Sequence, residues 1–192
     1  MAESDRMSGA ETRWRRFIRK EYKSNYRNIS AFIFGGKKVM QIRIANENDV
    51  EPLRRLYREL EADGVKYQPE HFVVGYRSDD FFREIFESGN QDILVAEEEG
   101  TVIGFSHVMI LKQKEVACLK PQTVVYIQDL DVLESERSKG IGTLLMNASK
   151  EYGKKHGADF IRTQVFPQNT EGIRFYERNG FREMMKTIEC QF

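Results

Sequence analysis

Cysteine is scarce in this sequence of 192 residues: Cys118 and Cys190 are the only two, and they lie far apart. They form no CxxC pair and no Cys/His ligand pattern, so they read as reduced thiols in a cytoplasm. Histidine is almost as rare, and His71, His107 and His156 are scattered with no HExxH among them. No metal site is expected from such spacing. No apolar run approaches the ~20 residues that cross a membrane. The N-terminus has no apolar core with a small-residue cleavage pattern, so no secretory signal is read there. There is no internal repeat and no low-complexity tract. What is present is 40% hydrophobic and 31% charged residues, which suits a soluble globular protein. The length fits one α/β domain with a proper core and room for an appendage.

The formal net charge is zero, but it is unevenly spread. Residues 1–40 carry ten Lys/Arg against four acids; residues 41–192 carry twenty against twenty-six. The basic stretch also holds Trp14, Phe17, Ile18 and Tyr22 at helical spacing, which predicts a short amphipathic helix. Docking on the acidic remainder of the chain, or a plain extension, is the first reading of residues 1–40. An arm for a homodimer is another. Nucleic-acid binding by basic and aromatic residues is a minor one, and it would weaken steeply with salt.

From residue 41 the pattern predicts β-α-α-β-β-β-α-β-α-β. "MQIRIAN" alternates as a strand, and "ENDVEPLRRLYRELEADG" reads as a helix with Asp49 as N-cap and Leu53, Leu56, Tyr57 and Leu60 as its apolar stripe. Residues 63–80 read as a loop, followed by a short helix in "DDFFREIFES". "DILVAEEEGTVIGFSHVMIL" reads as a hairpin turning near Glu99-Gly100. "TVVYIQDLDVL" is a strand, residues 140–156 a helix closed by Gly157, "DFIRTQVF" a strand, "NTEGIRFYERNG" a helix and "FREMMKTIEC" a final strand. Hairpins mixed with strand–helix–strand crossovers predict a mixed sheet with helices on both faces.

Chemistry is suggested by "LDVLESERSKGIGTLL", residues 130–145, where a strand hands over to a helix through Gly140 and Gly142. A helix start presents unpaired N–H groups and about half a positive charge. Glycines there let a phosphate approach the backbone, and Arg137 and Lys139 add positive charge. An ordinary glycine-containing turn is the plain alternative. No GxxxxGK[ST] is present, and the third glycine of GxGxxG is missing.

The run Arg137-Ser-Lys-Gly140-Ile-Gly142 resembles the [Q/R]-x-x-G-x-[G/A] acyl-CoA motif of the GNAT N-acetyltransferase superfamily. "NTEGIRFYERNGF", residues 169–181, resembles that family's second motif, N-x-x-[A/G]-x-x-[F/Y]-Y-x-x-x-G-F. The order of elements from residue 41 to residue 192 is also similar. The resemblance implies an α/β (α+β) fold of the GNAT kind, a mixed sheet of about six to seven strands splayed at the acyl-CoA site. It implies a basic extension over 1–40, a transferase domain over 41–192 and acetyl-CoA as the acyl donor.

Carried over residue by residue, the resemblance gives the backbone of Leu130, Asp131 and Val132 to the pantetheine arm. It gives Arg137, Ser138, Lys139, Gly140, Ile141, Gly142 and Thr143 to the pyrophosphate. Asn169 would touch the cofactor or cap the last helix. Tyr176 would sit near the sulfur and donate to the leaving thiolate; a core aromatic beside Ile173 and Phe175 is its plain alternative. A lysine-like amine at pH 7 must first lose a proton, at about 4–5 kcal/mol. The attack then passes through a tetrahedral intermediate whose oxyanion would meet an N–H near Val132. Proton transfer from a tyrosine to a thiolate is uphill by about 2 kcal/mol, so Tyr176 would act as much by hydrogen bonding.

The sequence departs from its relatives at the base. Gln128 stands where some members have Glu, and it cannot take a proton; Asp129 could, through water. Alternation would put the Asp129 side chain on the face opposite Gln128. Asp131 falls where an apolar or aromatic residue is usual. The acceptor site is expected from Tyr67, Tyr76, Tyr126 and Gln128, with Phe72, Asp79 and Asp80 nearby in sequence. Acidic and aromatic groups together would suit an amine-bearing small molecule or peptide. The rival reading is a regulatory or interaction module that binds acyl-CoA without turnover.

Overall fold

A computed structural model describes residues 30–34, 38–113 and 116–192. The expected basic helix over residues 13–28 lies outside the described residues. Among the described residues, six strands form one sheet in sequence order: β1 (Ser30–Phe34), β2 (Lys38–Ile44), β3 (Gln91–Glu98), β4 (Thr101–Lys112), β5 (Thr123–Val132) and β6 (Phe160–Arg162). The first five are antiparallel neighbours, and β5–β6 is parallel. β1 and the first three residues of β2 come from the stretch 1–40. The β3–β4 turn places Glu99 (φ 50°) and Gly100 (φ 82°) in the left-handed region, as a two-residue hairpin turn requires.

Among the described residues, four α-helices pack with the sheet: α1 (Val50–Tyr67), α2 (Asp79–Glu87), α3 (Ile141–Lys155) and α4 (Thr170–Arg178). α3 is the crossover that lets β5 and β6 run parallel. Its buried residues include Ile141, Leu145, Met146, Ala148, Ser149 and Tyr152. Ser149 bonds Ser106 of β4 (3.0 Å), and a Cβ on Gly153 would stand 2.8 Å from Val125 of β5. α1 covers the other face. Its Tyr57 is fully buried, with its ring 4.5 Å from Phe105 of β4. Two covered faces explain the unbroken burial of Leu94–Ala96 in β3 and Val102–Val108 in β4, where alternation would otherwise show. Each fully buried Leu or Ile there stabilises the fold by about 1.5–3 kcal/mol.

Three expectations are corrected. α1 runs through Tyr67, so the loop begins at residue 68 rather than 63. Asp49 makes no side-chain cap to α1. Its carboxylate instead accepts from Asn46 N–H (2.8 Å) and from Arg43 (2.7 and 2.8 Å), tying the start of the helix to β2. The final strand over "FREMMKTIEC" does not form. β6 is three residues long and offers no ladder for it, and Met184, Met185 and Ile188 stay 67–92% exposed. Strand propensity without a partner edge leaves the backbone to water.

Among the described residues no helix is long and apolar enough to cross a membrane, and no cluster of His, Cys, Asp or Glu has metal-ligand geometry.

Candidate active site

The site begins with the mismatch in length between β5 and β6. Pairing runs from Val124↔Phe160 to Tyr126↔Arg162 and stops. The Thr163 hydroxyl donates to Ile127 C=O (3.0 Å) as the last link. Beyond it, Gln128 to Val132 have β4 on one side and no strand on the other. This opening is the splay that the sequence led one to expect, and it leaves β5 with an edge that can accept an added strand.

At the end of that edge the chain turns into α3. Gly140 is the N-cap with φ +86°, and open space surrounds its missing Cβ, so its role is conformational. Gly142 differs: a Cβ there would stand 3.3 Å from the Phe175 ring, so its role is to let α4 close on the first turn of α3. Among the described residues, the successive N–H groups from Ser138 to Thr143 meet no acceptor. With the helix dipole behind them they make a cradle of the kind that suits an anion. The cationic side chains are placed otherwise than the motif suggests. Arg137 stays 40% exposed and folds back on the protein, donating to Val132 C=O (2.9 Å), Asp131 (3.1 Å) and Asp63 (3.2 Å). Lys139 pairs with Glu136 (2.8 Å). The cradle therefore rests mainly on backbone.

Asp131 is the buried acid of this end. It is 7% exposed, and its Oδ2 has no hydrogen-bond partner. Burial pushes its carboxyl up to about 6, against the opposing pull of Arg137 and the Val132 N–H.

The other end of the opening is set by a bulge. His107 pairs with Asp129 and Val108 with Ile127, so Gln128 has no opposite residue. The bulge resets the faces of β5. Val125 lies against α3, and so does Val132, seven positions on, beside Leu145. An unbroken strand would put them on opposite faces. By the same shift Asp129 turns to the α1 face, where its carboxylate bears on Tyr57, Tyr126 and Tyr176. Burial raises all three phenols, and Asp129 raises each further. For Tyr176 the Thr163 side chain works the other way. These phenols keep their protons at neutral pH and act as donors. His107 Nδ1 stands 3.6 Å from Asp129 Oδ2.

Of the residues singled out from sequence, Tyr126, Asp129 and Tyr176 are brought together. Gln128 is exposed on the bulge. Asn169 caps α4 through Gly172 N–H (2.8 Å). Tyr67 lies 6.0 Å from Phe166, which also meets Phe72 (5.2 Å), so these rings bridge the segment after α1 to the segment after β6. Tyr76 is 72% exposed and stacks on Arg54 (4.8 Å), which also holds Asp79 (2.6 Å); Asp80 pairs with Arg83. Sequence reading missed Tyr57 and His107. Tyr57 looked like any apolar-stripe residue, and His107 sat in a hairpin strand with no ligand spacing. The one available signal was a His, next to Ser106, in a mainly apolar run, "GFSHVMIL".

Comparison with known proteins agrees with this geometry. The profile of the Acetyltransferase (GNAT) family matches residues 48–181. An uncharacterized N-acetyltransferase of Bacillus subtilis, YhfO, is 29% identical over 147 residues, covering 75% of this chain and 91% of its own. An aminoglycoside N(6')-acetyltransferase type 1 of Salmonella enteritidis is 26% identical over 149 residues, covering 78% and 96%. The structure of aminoglycoside N-acetyltransferase AAC(6')-Iy in complex with CoA superposes with a TM-score of 0.62 at 23% identity, covering 83% of this chain and 99% of that one.

Proposed function

The chain belongs to the acetyltransferase (GNAT) family, and from that premise we propose that it transfers acetyl from acetyl-CoA to a primary amine of a small, polycationic acceptor. The transferase unit is taken as residues 41–192, with the basic stretch 1–40 as an extension that adds β1 to the sheet edge. The observation that carries the reading is the unpaired edge of β5, which leads from the N–H cradle at Ser138–Thr143 to the side chain of Asp129. It is the shape of a site for a long donor with an anionic end and a reactive end. The relatives named as aminoglycoside acetyltransferases support a small amine-bearing acceptor. Exposed Cys118 and Cys190, both unpaired thiols, fit a reducing cytoplasm.

The roles follow from the chemistry of the groups. The cradle would hold the pyrophosphate, and the β5 edge would pair with the amide groups of the pantetheine arm. Asp129 would accept a proton from the incoming ammonium, giving a path for the deprotonation that costs about 4–5 kcal/mol at pH 7. The amine then attacks the acetyl carbonyl directly, and the tetrahedral intermediate collapses with loss of thiolate. Tyr176, held protonated, would donate a hydrogen bond to that thiolate. Its raised pKa makes full proton transfer still more uphill than for a free tyrosine.

The test is acetyl-CoA-dependent thiol release across aminoglycosides, polyamines, amino acids and peptides, with Tyr176→Phe beside the wild type. Release with polycationic small molecules, lost in the variant while acetyl-CoA still binds, is expected. Silence across the panel with acetyl-CoA bound would favour a binding module instead. Failure to bind acetyl-CoA would remove the proposal altogether.

A further inference from the structure

His107 lies behind Asp129 on the neighbouring strand, at the rung where the β4–β5 ladder shifts register. It is 4% exposed. Its Nε2 is 2.9 Å from Gln91 Oε1. An amide oxygen only accepts, so in the neutral ring the proton belongs on Nε2. That leaves Nδ1 as a free base. Nδ1 faces the Tyr57 hydroxyl at 3.3 Å and Asp129 Oδ2 at 3.6 Å. Tyr57 is itself locked, edge-on to Phe81 and Phe82 and tilted against Phe105. A core histidine that merely fills space has no need of one tautomer with its basic nitrogen turned to a carboxylate at the mouth of a site.

The groups around this pair come from every neighbouring element. Gln91 stands on β3, Tyr57 on α1, and Tyr126 and Asp129 on β5. Tyr176 comes from α4. Arg77, in the segment before α2, lies over the Tyr57 ring at 5.1 Å and is paired with Glu61 of α1 (2.7 Å).

We propose that His107 is a positioning residue and proton store for Asp129. Its Nδ1 receives the proton that Asp129 takes from the ammonium, and the Nδ1–H of the imidazolium so formed then holds the carboxylate, with the Tyr57 hydroxyl beside them. The balance is simple. An N–H bond of the ammonium breaks and an O–H forms on Asp129. That O–H breaks, an N–H forms on Nδ1, and Asp129 is again a carboxylate, now beside an imidazolium whose Nε2–H stays on Gln91. The second ammonium proton ends on the CoA thiol, and the stored one leaves to solvent. This inference rests on the acetyl-transfer reading, so its test has one arm that needs no acceptor.

That arm is long-range 1H–15N NMR of the His107 ring in the full chain, free of substrate, for wild type, Asp129→Asn and Tyr57→Phe. An Nε2–H tautomer at high pH, with an Nδ1 shift that moves in both variants, is expected. An Nδ1–H tautomer, or an Nδ1 signal indifferent to Asp129→Asn, overturns the proposal whatever the enzyme acetylates. The kinetic arm compares His107→Gln with wild type on the amine found active. Turnover should fall about 10- to 100-fold at pH 7, with the KM for acetyl-CoA unchanged. The deficit should shrink to about threefold by pH 10, because the amine then arrives neutral. A deficit equal at every pH marks a structural role and sinks the idea. Tyr57→Phe, which removes one hydroxyl and keeps the ring, should show the same pH trend in weaker form if His107→Gln fails to fold.

Discussion

At one end of the β5 opening an anion would meet backbone; at the other an amine would meet side chains. The cradle comes from one continuous segment, Ser138 to Thr143, and needs left-handed backbone at Ser138 and Gly140 and the start of a helix. The Asp129 end draws on β3, β4, β5, α1 and α4, and needs a bulge to turn the carboxylate toward its partners. Backbone geometry is local and tolerates change in most side chains. A carboxylate among three phenols and an imidazole is distributed, and each contributor is a separate point of failure. The two ends should therefore break in different ways.

The largest effect is expected at the distributed end. Asp129→Asn keeps the shape and removes the proposed base, so kcat should fall about 10²- to 10⁴-fold, while calorimetric affinity for acetyl-CoA stays within about twofold. Loss of both together would mean that the two ends are not separable. Next comes Asp131→Asn. An acid raised to about 6 from its ordinary 3.8 holds its proton more tightly in the folded chain. Its contribution to stability is complete below about pH 4 and is lost as pH rises through 6. Asparagine mimics the protonated form, so the variant should be up to about 3 kcal/mol more stable at pH 8 and equal to wild type near pH 4, by urea unfolding. Equal stability at pH 8 would show that Arg137 fully compensates the buried charge.

The cradle should break more selectively. Gly142→Asp sets a carboxylate on the first turn of α3, against the Phe175 ring and the free N–H groups. Acetyl-CoA affinity should drop about 100-fold, roughly 2.7 kcal/mol, in a variant that remains folded by circular dichroism. Retained affinity would put the pyrophosphate elsewhere. Gly140→Ala is the mildest: a side chain at φ +86° costs about 1–2 kcal/mol of stability with nothing to clash with, and a drop of several degrees in Tm is its signature. A Tm unchanged by the substitution would mean that the turn relaxes without the left-handed residue.

The same contrast explains what could be read in advance. Glu99-Gly100, Gly140, Gly157 and Gly180 mark turns and helix ends because each needs a backbone conformation that few residues supply; all five are left-handed in the structure. The loop before α3 was legible for that reason. The acceptor end was not. Alternation assigned Asp129 by its parity along β5, and one unpaired residue, Gln128, reversed that parity for everything after it. Tyr57 could not be told from Leu53 or Leu56 in a helical stripe, because helical spacing reports a face and not what the face touches. The final strand failed for a related reason: "FREMMKTIEC" carries the right residue types, but a strand exists only if an edge of matching length is offered to it.

By itself, then, the sequence determined the order of elements from β2 to α4, the turns that demand left-handed residues, the glycine-containing start of α3, and the family. These depend on local sterics and on residues within a few positions of one another. Only the tertiary structure decided where β6 stops pairing, where the β4–β5 ladder slips by one, and hence which side chains surround Asp129. Those depend on registers between strands distant in the chain, set by the packing of α1 and α3 on opposite faces, which no local pattern encodes.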